Sequence, residues 1–309
     1  MKYLVTGGAG FIGSHVVEAL VEKGDVVVLD NLSFGNKENL SHISSERYTF
    51  IEGDIRKKED CDNAVKDVDV IIHLGALRAV APSVDNPDAY FQNNVEGTRT
   101  LLESAVKAGV KKIVFASSSS VYGDKVSFPT KEDDVVDPLS PYAETKLQTE
   151  KDLADFKREK GLDYVILRFF TVFGPRQDPK SKYAMAIPIF INKLLNKEKP
   201  IIFGDGEQSR DFTYVKNVVQ ACILAAESEK ANNQVFNVAN GKNTSINALV
   251  KMLKEIIGVD IENIYEKGLS GESRQTFADI SKIKEVLGYE PGVSFEEGLK
   301  KAVDYFKNL

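Results

Sequence analysis

Tyr142 and Lys146 stand four residues apart in the run Tyr142-Ala143-Glu144-Thr145-Lys146, which follows Pro138 and Pro141 and reads as the start of a helix. That spacing puts both side chains on one helix face. A free phenol titrates near ~10 and is a poor base at neutral pH. A neighbouring ammonium favours the phenolate and makes Tyr142 a usable base for a hydroxyl. Hydroxyls crowd the segment upstream, Phe115-Ala116-Ser117-Ser118-Ser119-Ser120-Val121-Tyr122-Gly123. Ser118, Ser119 and Ser120 are suited to hydrogen-bond a substrate oxygen and the Tyr142 phenol.

The second constellation is Thr6-Gly7-Gly8-Ala9-Gly10-Phe11-Ile12-Gly13. Gly7 and Gly8 allow a tight turn, Gly10 lets the backbone approach a pyrophosphate, and Gly13 lets a helix pack on a strand. The helix opens at Phe11 and Ile12, offering free N–H groups and a positive dipole end to phosphates. Asp30 follows at about the ~20-residue interval expected for a carboxylate on the adenosine ribose. A carboxylate accepts from a 2′-hydroxyl and repels a 2′-phosphate. No Arg follows it in Asp30-Asn31-Leu32-Ser33-Phe34-Gly35, so the cofactor is NAD rather than NADP. Asn31 lies beside the ribose carboxylate, Asp54 and Ile55 suit the adenine edge, and Leu74 and Ala76 line the path of the cofactor. Arg78 comes just after and is expected to face the nicotinamide and the sugar.

Such groups need elements that end at one edge. Strand-like runs occur at 2–6, 25–29, 48–51, 70–74, 112–116 and 164–168, with amphipathic helical stretches between them, the first at 11–23. Short apolar strands alternating with helices predict an α/β fold, a doubly wound parallel sheet of the Rossmann type. After Phe170 the rhythm breaks into loops, short helices and isolated strands such as 200–203 and 234–238. The break predicts a second, smaller, interleaved lobe. The NAD-binding domain is expected at 1–170 and 212–240, and the substrate lobe at 171–211 and 241–309.

On these motifs the chain resembles the extended short-chain dehydrogenase/reductases, more narrowly the UDP-hexose 4-epimerases, and most closely their UDP-N-acetylglucosamine 4-epimerase branch. The resemblance runs the whole length, through Arg168-Phe169-Phe170, Gly174-Pro175-Arg176-Gln177-Asp178-Pro179, Gly204-Asp205-Gly206-Glu207-Gln208-Ser209-Arg210-Asp211-Phe212 and Ala278-Asp279-Ile280-Ser281-Lys282. It implies Ser118 as the catalytic serine, Tyr142 as the base and Lys146 on the nicotinamide ribose. It implies a cofactor-contacting Asn94 on a long helix after Pro82, Arg210 on the nucleotide diphosphate, and Ile201 and Phe203 at the uracil. Two departures stand out. Thr171 replaces the substrate-facing Asn, and Leu269 falls where a second diphosphate arginine is usual, leaving Arg274 or Arg176 to replace it. The sister 4,6-dehydratases resemble Thr-Asp-Glu where this chain has Ser118-Ser119-Ser120, and the sister decarboxylases Thr-Ser-Glu. Without those carboxylates, oxidation and return of hydride at one carbon remain, which is epimerisation.

The position beside the sugar C2 substituent, bulky in enzymes restricted to plain hexoses, is Thr276 here. The resemblance therefore implies interconversion of UDP-N-acetylglucosamine and UDP-N-acetylgalactosamine, with UDP-glucose and UDP-galactose as further substrates. The rival readings are an epimerase of UDP-glucuronate or another acidic UDP-sugar, an NAD-dependent sugar dehydrogenase, and a non-catalytic NAD sensor. Family analogy implies a homodimer built on the helices after Pro82 and Pro141.

Composition agrees with these expectations. The 309 residues are 42% apolar and 28% charged, with net charge −6 and basic residues interspersed with acidic ones. That argues against a nucleic-acid surface. Cys61 and Cys222 are far apart, His15, His42 and His73 lack metal spacing, and no apolar run approaches the ~20 residues of a membrane span. A cytoplasmic protein with no signal peptide and no bound metal is expected.

Overall fold

In the computed structural model, which describes residues 1–124, 127–179, 185–268 and 274–309, strands and helices alternate through the first half. Strand β1 (Lys2–Thr6) feeds helix α1 (Phe11–Leu20), which leads to β2 (Asp25–Asp30) and β3 (Tyr48–Glu52). Helix α2 (Lys58–Ala64) precedes β4 (Val70–His73). Short helices α3 (Val80–Asp85) and α4 (Pro87–Tyr90) then run through a π-helical turn at Phe91–Glu96 into α5 (Gly97–Ala108). Strand β5 (Lys112–Ser118), the long helix α6 (Pro141–Lys160) and β6 (Asp163–Phe169) follow.

The second half supplies β7 (Thr171–Phe173), α7 (Ala186–Leu195), β8 (Ile201–Phe203), β9 (Ser209–Arg210) and β10 (Phe212–Tyr214). It continues with α8 (Val215–Glu227), β11 (Gln234–Val238), β12 (Thr244–Ser245), α9 (Ile246–Ile257), β13 (Ile264–Glu266), α10 (Ser281–Leu287) and α11 (Phe295–Lys307).

The main sheet has seven parallel strands in the order β11-β6-β5-β4-β1-β2-β3. Successive strand residues alternate between two cores. Val5, Val28, Ile72 and Val114 pack with α1 and α8. Leu4, Leu29, Ile71 and Ile113 pack with α2, α5 and α6. Both faces are apolar, which is why the strands read as continuous hydrophobic runs. The order reverses between β1 and β4, where a doubly wound sheet opens its ligand crevice at the carboxyl ends of its strands. Three two-stranded sheets, β10-β7, β12-β9 and β13-β8, lie outside this layer.

Three sequence expectations change. Residues 234–238 are not an isolated strand but the edge of the main sheet, paired in register from Gln234 on Val165 to Val238 on Phe169. The long helix after Pro82 is broken: Pro82 lies within α3, Asn86 starts α4 by accepting from Ala89 N–H, and the π turn intervenes before α5. Helix α1 also stops at Leu20, short of Lys23.

Helix α6 is locked to the sheet by a buried ion pair. Glu150 receives two hydrogen bonds from Arg168 of β6, at 3.0 and 2.7 Å, and a third from Ser117 Oγ. Both charged side chains are below 10% exposed. Removing one partner of such a pair strands the other charge and costs ~3–5 kcal/mol. Glu150→Ala is therefore expected to lower the unfolding free energy by about that amount in urea denaturation. A loss under about 1 kcal/mol, typical of an exposed pair, would show that the pair does not pin the helix.

Candidate active site

The dinucleotide turn is built from β1 outward. Gly7 takes φ +68°, and a Cβ there would lie 2.8 Å from the Gly75 amide nitrogen. A Cβ on Gly13 would lie 2.0 Å from the Gly7 carbonyl oxygen, so only glycine lets α1 sit this close to the turn. Gly8 serves packing, against Val28 and Val17, rather than the turn itself. Gly10 caps α1 with no side-chain acceptor, leaving the first-turn amides at Phe11 and Ile12 available to an anion.

Asp30, 7% exposed at the end of β2, accepts from Ala9 N–H at 2.9 Å and Leu32 N–H at 2.8 Å. Burial raises its pKa, and these two amide bonds oppose the rise. Each carboxylate oxygen keeps a second lone pair for a ribose hydroxyl. Bare first-turn amides, glycines that admit no side chain and a carboxylate with spare acceptors together fit a dinucleotide such as NAD.

Asn31, Asp54 and Ile55 gather beside Asp30, but Asp54 is not a free acceptor. Arg56 binds both its oxygens, through Nε at 3.0 and 3.1 Å and Nη2 at 2.5 Å, and Asn31 adds a bond at 3.4 Å. The Arg56 contacts hold the carboxyl down, at about 2. Any further donor at Asp54 shares the carboxylate with Arg56, a partner that no motif in the sequence signals.

Leu74 and Ala76 follow β4 past the glycine turn, and the segment is clamped by Asn94. Its side chain accepts from Leu77 N–H at 2.8 Å and donates to Leu77 O at 3.0 Å and Thr145 Oγ1 at 3.1 Å. Asn94 is 3% exposed and largely consumed by these bonds. It ties the 74–77 segment to the Tyr142 helix.

Tyr142, Lys146 and Ser118 converge at the ends of β5 and α6. Ser140 caps α6 by accepting from Ala143 N–H, and Pro141 occupies the first turn. The Lys146 ammonium, on a residue 4% exposed, donates to Ala116 O at 2.8 Å and lies 4.8 Å over the Phe115 ring. Burial lowers its pKa to about 8, opposed by Glu150. Tyr142 is half-buried, with Lys146 Nζ 5.9 Å from its ring centre. Its phenol pKa is raised by burial, opposed by a hydrogen bond to Ser118 and by the charge of Arg78. Ser118 Oγ also accepts from Ser120 N–H at 3.1 Å, capping the short 3-10 turn at 119–122. The Ser120 hydroxyl is buried with no partner among the described residues.

Beneath them lies His73, whose ring is fixed by its neighbours. Thr98 spends its hydroxyl proton on Asn94 O at 2.6 Å, so it must accept from His73 Nε2–H at 2.9 Å. His73 Nδ1 therefore accepts from Thr6 Oγ1 at 2.6 Å, while that oxygen accepts from Gly75 N–H. Burial, with the charge of Lys146, pushes the imidazole down to about 3.

In the second half of the chain, β9 and the 274–278 segment are joined by a Ser209–Gln275 bridge, and Thr276 N–H donates to Ser209 O. This brings half-buried Arg210 and Thr276 together, and the Thr276 hydroxyl accepts from Asp211 N–H at 3.4 Å. Asp211, fully buried, accepts from the amides of Asn240, Gly241 and Ala278. Thr171 opens β7 and pairs with Phe212 of β10. Ile201 and Phe203 lie on β8, Ile201 half-buried and Phe203 39% exposed.

Of the two substitute arginines, Arg176 is drawn away. It bonds Glu18 of α1 at 2.5 Å and Ser14 at 3.3 Å, because its backbone turns left-handed at φ +67° over that helix. Arg274 is 70% exposed and pairs with Asp205 at 2.8 Å. Leu269 lies outside the described residues. Among the described residues no three metal-ligating side chains cluster, and no helix is long and apolar enough to cross a membrane.

Comparisons with known proteins agree with this fold. A family model described as the NAD dependent epimerase/dehydratase family matches residues 3–239. A UDP-glucose 4-epimerase from Thermotoga maritima, solved with UDP-glucose, superposes with TM-score 0.95 at 45% identity, covering 100% of this chain and 99% of its own. A UDP-N-acetylglucosamine 4-epimerase from Methanobrevibacter ruminantium, in complex with UDP-N-acetylmuramic acid, gives 0.95 at 44%, covering 99% and 98%. A UDP-glucuronic acid 4-epimerase from Bacillus cereus, solved with UDP-glucuronic acid and NAD, gives 0.93 at 37%, covering 100% and 99%.

His73 makes a signed prediction about pH. The unfolded imidazole takes a proton near ~6.5, whereas the folded one resists it until about 3. Between those values the unfolded state binds the extra proton, so stability falls as pH falls. His73→Gln removes this contribution. Between pH 6 and 4 its stability should decline less steeply than wild type, by about 1.4 kcal/mol per pH unit. Parallel profiles in urea denaturation would show that the ring is not held neutral.

Proposed function

The chain belongs to the NAD-dependent epimerase/dehydratase family, and from that premise we propose that it is a UDP-sugar 4-epimerase interconverting UDP-N-acetylglucosamine and UDP-N-acetylgalactosamine, with UDP-glucose and UDP-galactose as further substrates. One observation carries the reaction class. Ser118, Tyr142 and Lys146 meet at the carboxyl edge of the sheet, and the carboxylate that reaches the serine run, Glu150, is held by Arg168 and Ser117. Elimination of water needs a carboxyl acid and base there; proton removal from a hydroxyl needs only the phenolate.

NAD supplies the hydride acceptor, and then the donor, at C4. The protein's share is proton movement and position. Tyr142 takes the O4 proton as the C4–H bond breaks, Ser118 orients O4, and the Lys146 ammonium stabilises the phenolate through its field. Arg210 suits the diphosphate, about which the 4-keto sugar turns before Tyr142 returns the proton. Residues 1–170 and 212–240 would hold the cofactor, and 171–211 with 241–309 the nucleotide sugar. Apolar Val80, Val84 and Phe91, all 40% exposed or more, suit a homodimer through the helices beside them.

A second reading is an acidic UDP-sugar. Arg78 acts on the Tyr142 phenol and has no carboxylate partner among the described residues, so a sugar carboxylate would satisfy it.

Thr276 supports the N-acetyl reading, because a small side chain leaves room at C2. Wild type and Thr276→Tyr should be given UDP-N-acetylglucosamine, UDP-glucose and UDP-glucuronate, with products read by NMR at C4. Wild type is expected to convert the N-acetyl sugar. The tyrosine overpacks that space at a cost of ~1–3 kcal/mol, so the ratio of N-acetyl to plain turnover should fall about 5–150-fold. Loss of the Thr276 bond to Asp211 affects all substrates alike and cancels in the ratio. Turnover of UDP-glucose without UDP-N-acetylglucosamine would overturn the open-pocket assignment. Turnover of UDP-glucuronate alone would establish the acidic reading instead.

A further inference from the structure

Ala79 takes φ +80° and ψ 141°, a conformation that glycine enters freely and alanine does not. A side chain held there needs surroundings that over-determine it, and such outliers cluster at functional sites. The restraint is visible one residue earlier. Tyr90 Oη donates to the carbonyl of Arg78 at 2.5 Å, spanning twelve residues from the end of α4. The same ring stands edge-on to Tyr142, with centroids 6.4 Å apart and planes at 86°. One aromatic side chain thus touches both the strained turn and the phenol proposed as the base.

We propose that Tyr90 is a positioning residue for Tyr142: its hydroxyl holds the Ala79 turn in its left-handed form, and that turn sets the Arg78 guanidinium beside the Tyr142 phenol. The groups that face the phenol come from four elements. Ser118, at the end of β5, and the charge of Arg78, in the 74–79 segment, hold the phenol pKa down, Lys146 Nζ of α6 stands 5.9 Å from the ring centre, and the Tyr90 ring of α4 packs edge-on. Of these, Arg78 and Lys146 bring positive charge. Lys146 is fixed by its bond to Ala116 O and by the Phe115 face. Arg78 has no acidic partner among the described residues to fix its side chain, so its placement depends on its backbone. Without the Tyr90 hydroxyl the turn relaxes, the guanidinium leaves, and the phenol loses one of its two cations.

The inference rests on Tyr142 being the base of the proposed reaction, yet its test needs no substrate. The NAD-loaded protein is titrated with alkali, and near-ultraviolet phenolate absorbance is recorded for wild type, Tyr90→Phe, Arg78→Gln and the double variant. Subtracting the spectra of matching proteins that also carry Tyr142→Phe isolates the Tyr142 titration. Loss of one nearby opposite charge should raise its midpoint by about 1 pH unit in Tyr90→Phe and in Arg78→Gln. The double variant should shift no further, because both changes remove one cation. A Tyr90→Phe midpoint equal to wild type, or a double shift equal to the sum of the singles, would overturn the tether. Failure of every UDP-sugar to epimerise would instead overturn the proposed function and leave this titration standing.

Discussion

The Glu150–Arg168 pair decides where everything above it can sit. Glu150 lies one turn beyond Lys146 on α6, and Arg168 is in β6, the strand beside the one that ends at Ser118. Helix and sheet can slide only by stretching a buried, doubly hydrogen-bonded ion pair. Ser117 Oγ joins the same carboxylate, so the strand carrying the serine run is held to the helix carrying Tyr142 and Lys146. Proton transfer needs heavy atoms within hydrogen-bond reach, and a fixed helix register provides that precision. The pair also sets charge. Glu150 supports the Lys146 ammonium from below, while Arg168 keeps the carboxylate from acting as a base.

The electrostatic setting of Tyr142 is a contest that burial wins in the protein by itself. Desolvation raises the phenol pKa, while Ser118 and Arg78 oppose the rise. Lys146 is also buried, and its pKa drops toward neutrality rather than rising. The positive charge of oxidised NAD would add to these cations, so base strength would depend on cofactor state. His73 lies below, kept neutral between Thr6 and Thr98. A charged imidazole there would add repulsion under Lys146. Its hydrogen-bond chain runs from Gly75 through Thr6 and Thr98 to Asn94, so the glycine turn and the π turn are joined beneath Lys146.

Much of this was legible in the residues. The alternation of apolar runs with amphipathic stretches marked β1 to β6 within a residue or two, because strands buried on both faces leave an unbroken hydrophobic signature. The i to i+4 spacing put Tyr142 and Lys146 on one helix face, as the structure has them, and the glycine run marked the turn before α1. What escaped depended on partners distant in sequence. The strand at 234–238 pairs with β6 about seventy residues earlier, and no local pattern says so. The π turn at 91–96 adds to a helix an irregularity that hydrophobic spacing does not register. Arg176 read as a possible anion ligand because its charge was visible and Glu18, on α1, was not linked to it. Arg56 closes over Asp54 for a similar reason: the motif names a carboxylate but not what already holds it.

In the proposed reaction one carbon of a UDP-sugar is oxidised and restored within a single turnover. The direct measurement uses UDP-N-acetylglucosamine carrying deuterium at C4, incubated with the enzyme in ordinary water and followed by NMR and by absorbance of reduced cofactor. The label is expected at C4 of UDP-N-acetylgalactosamine without exchange into solvent, with no accumulation of reduced cofactor. Loss of the label to water, or reduced cofactor forming in proportion to sugar consumed, would contradict it.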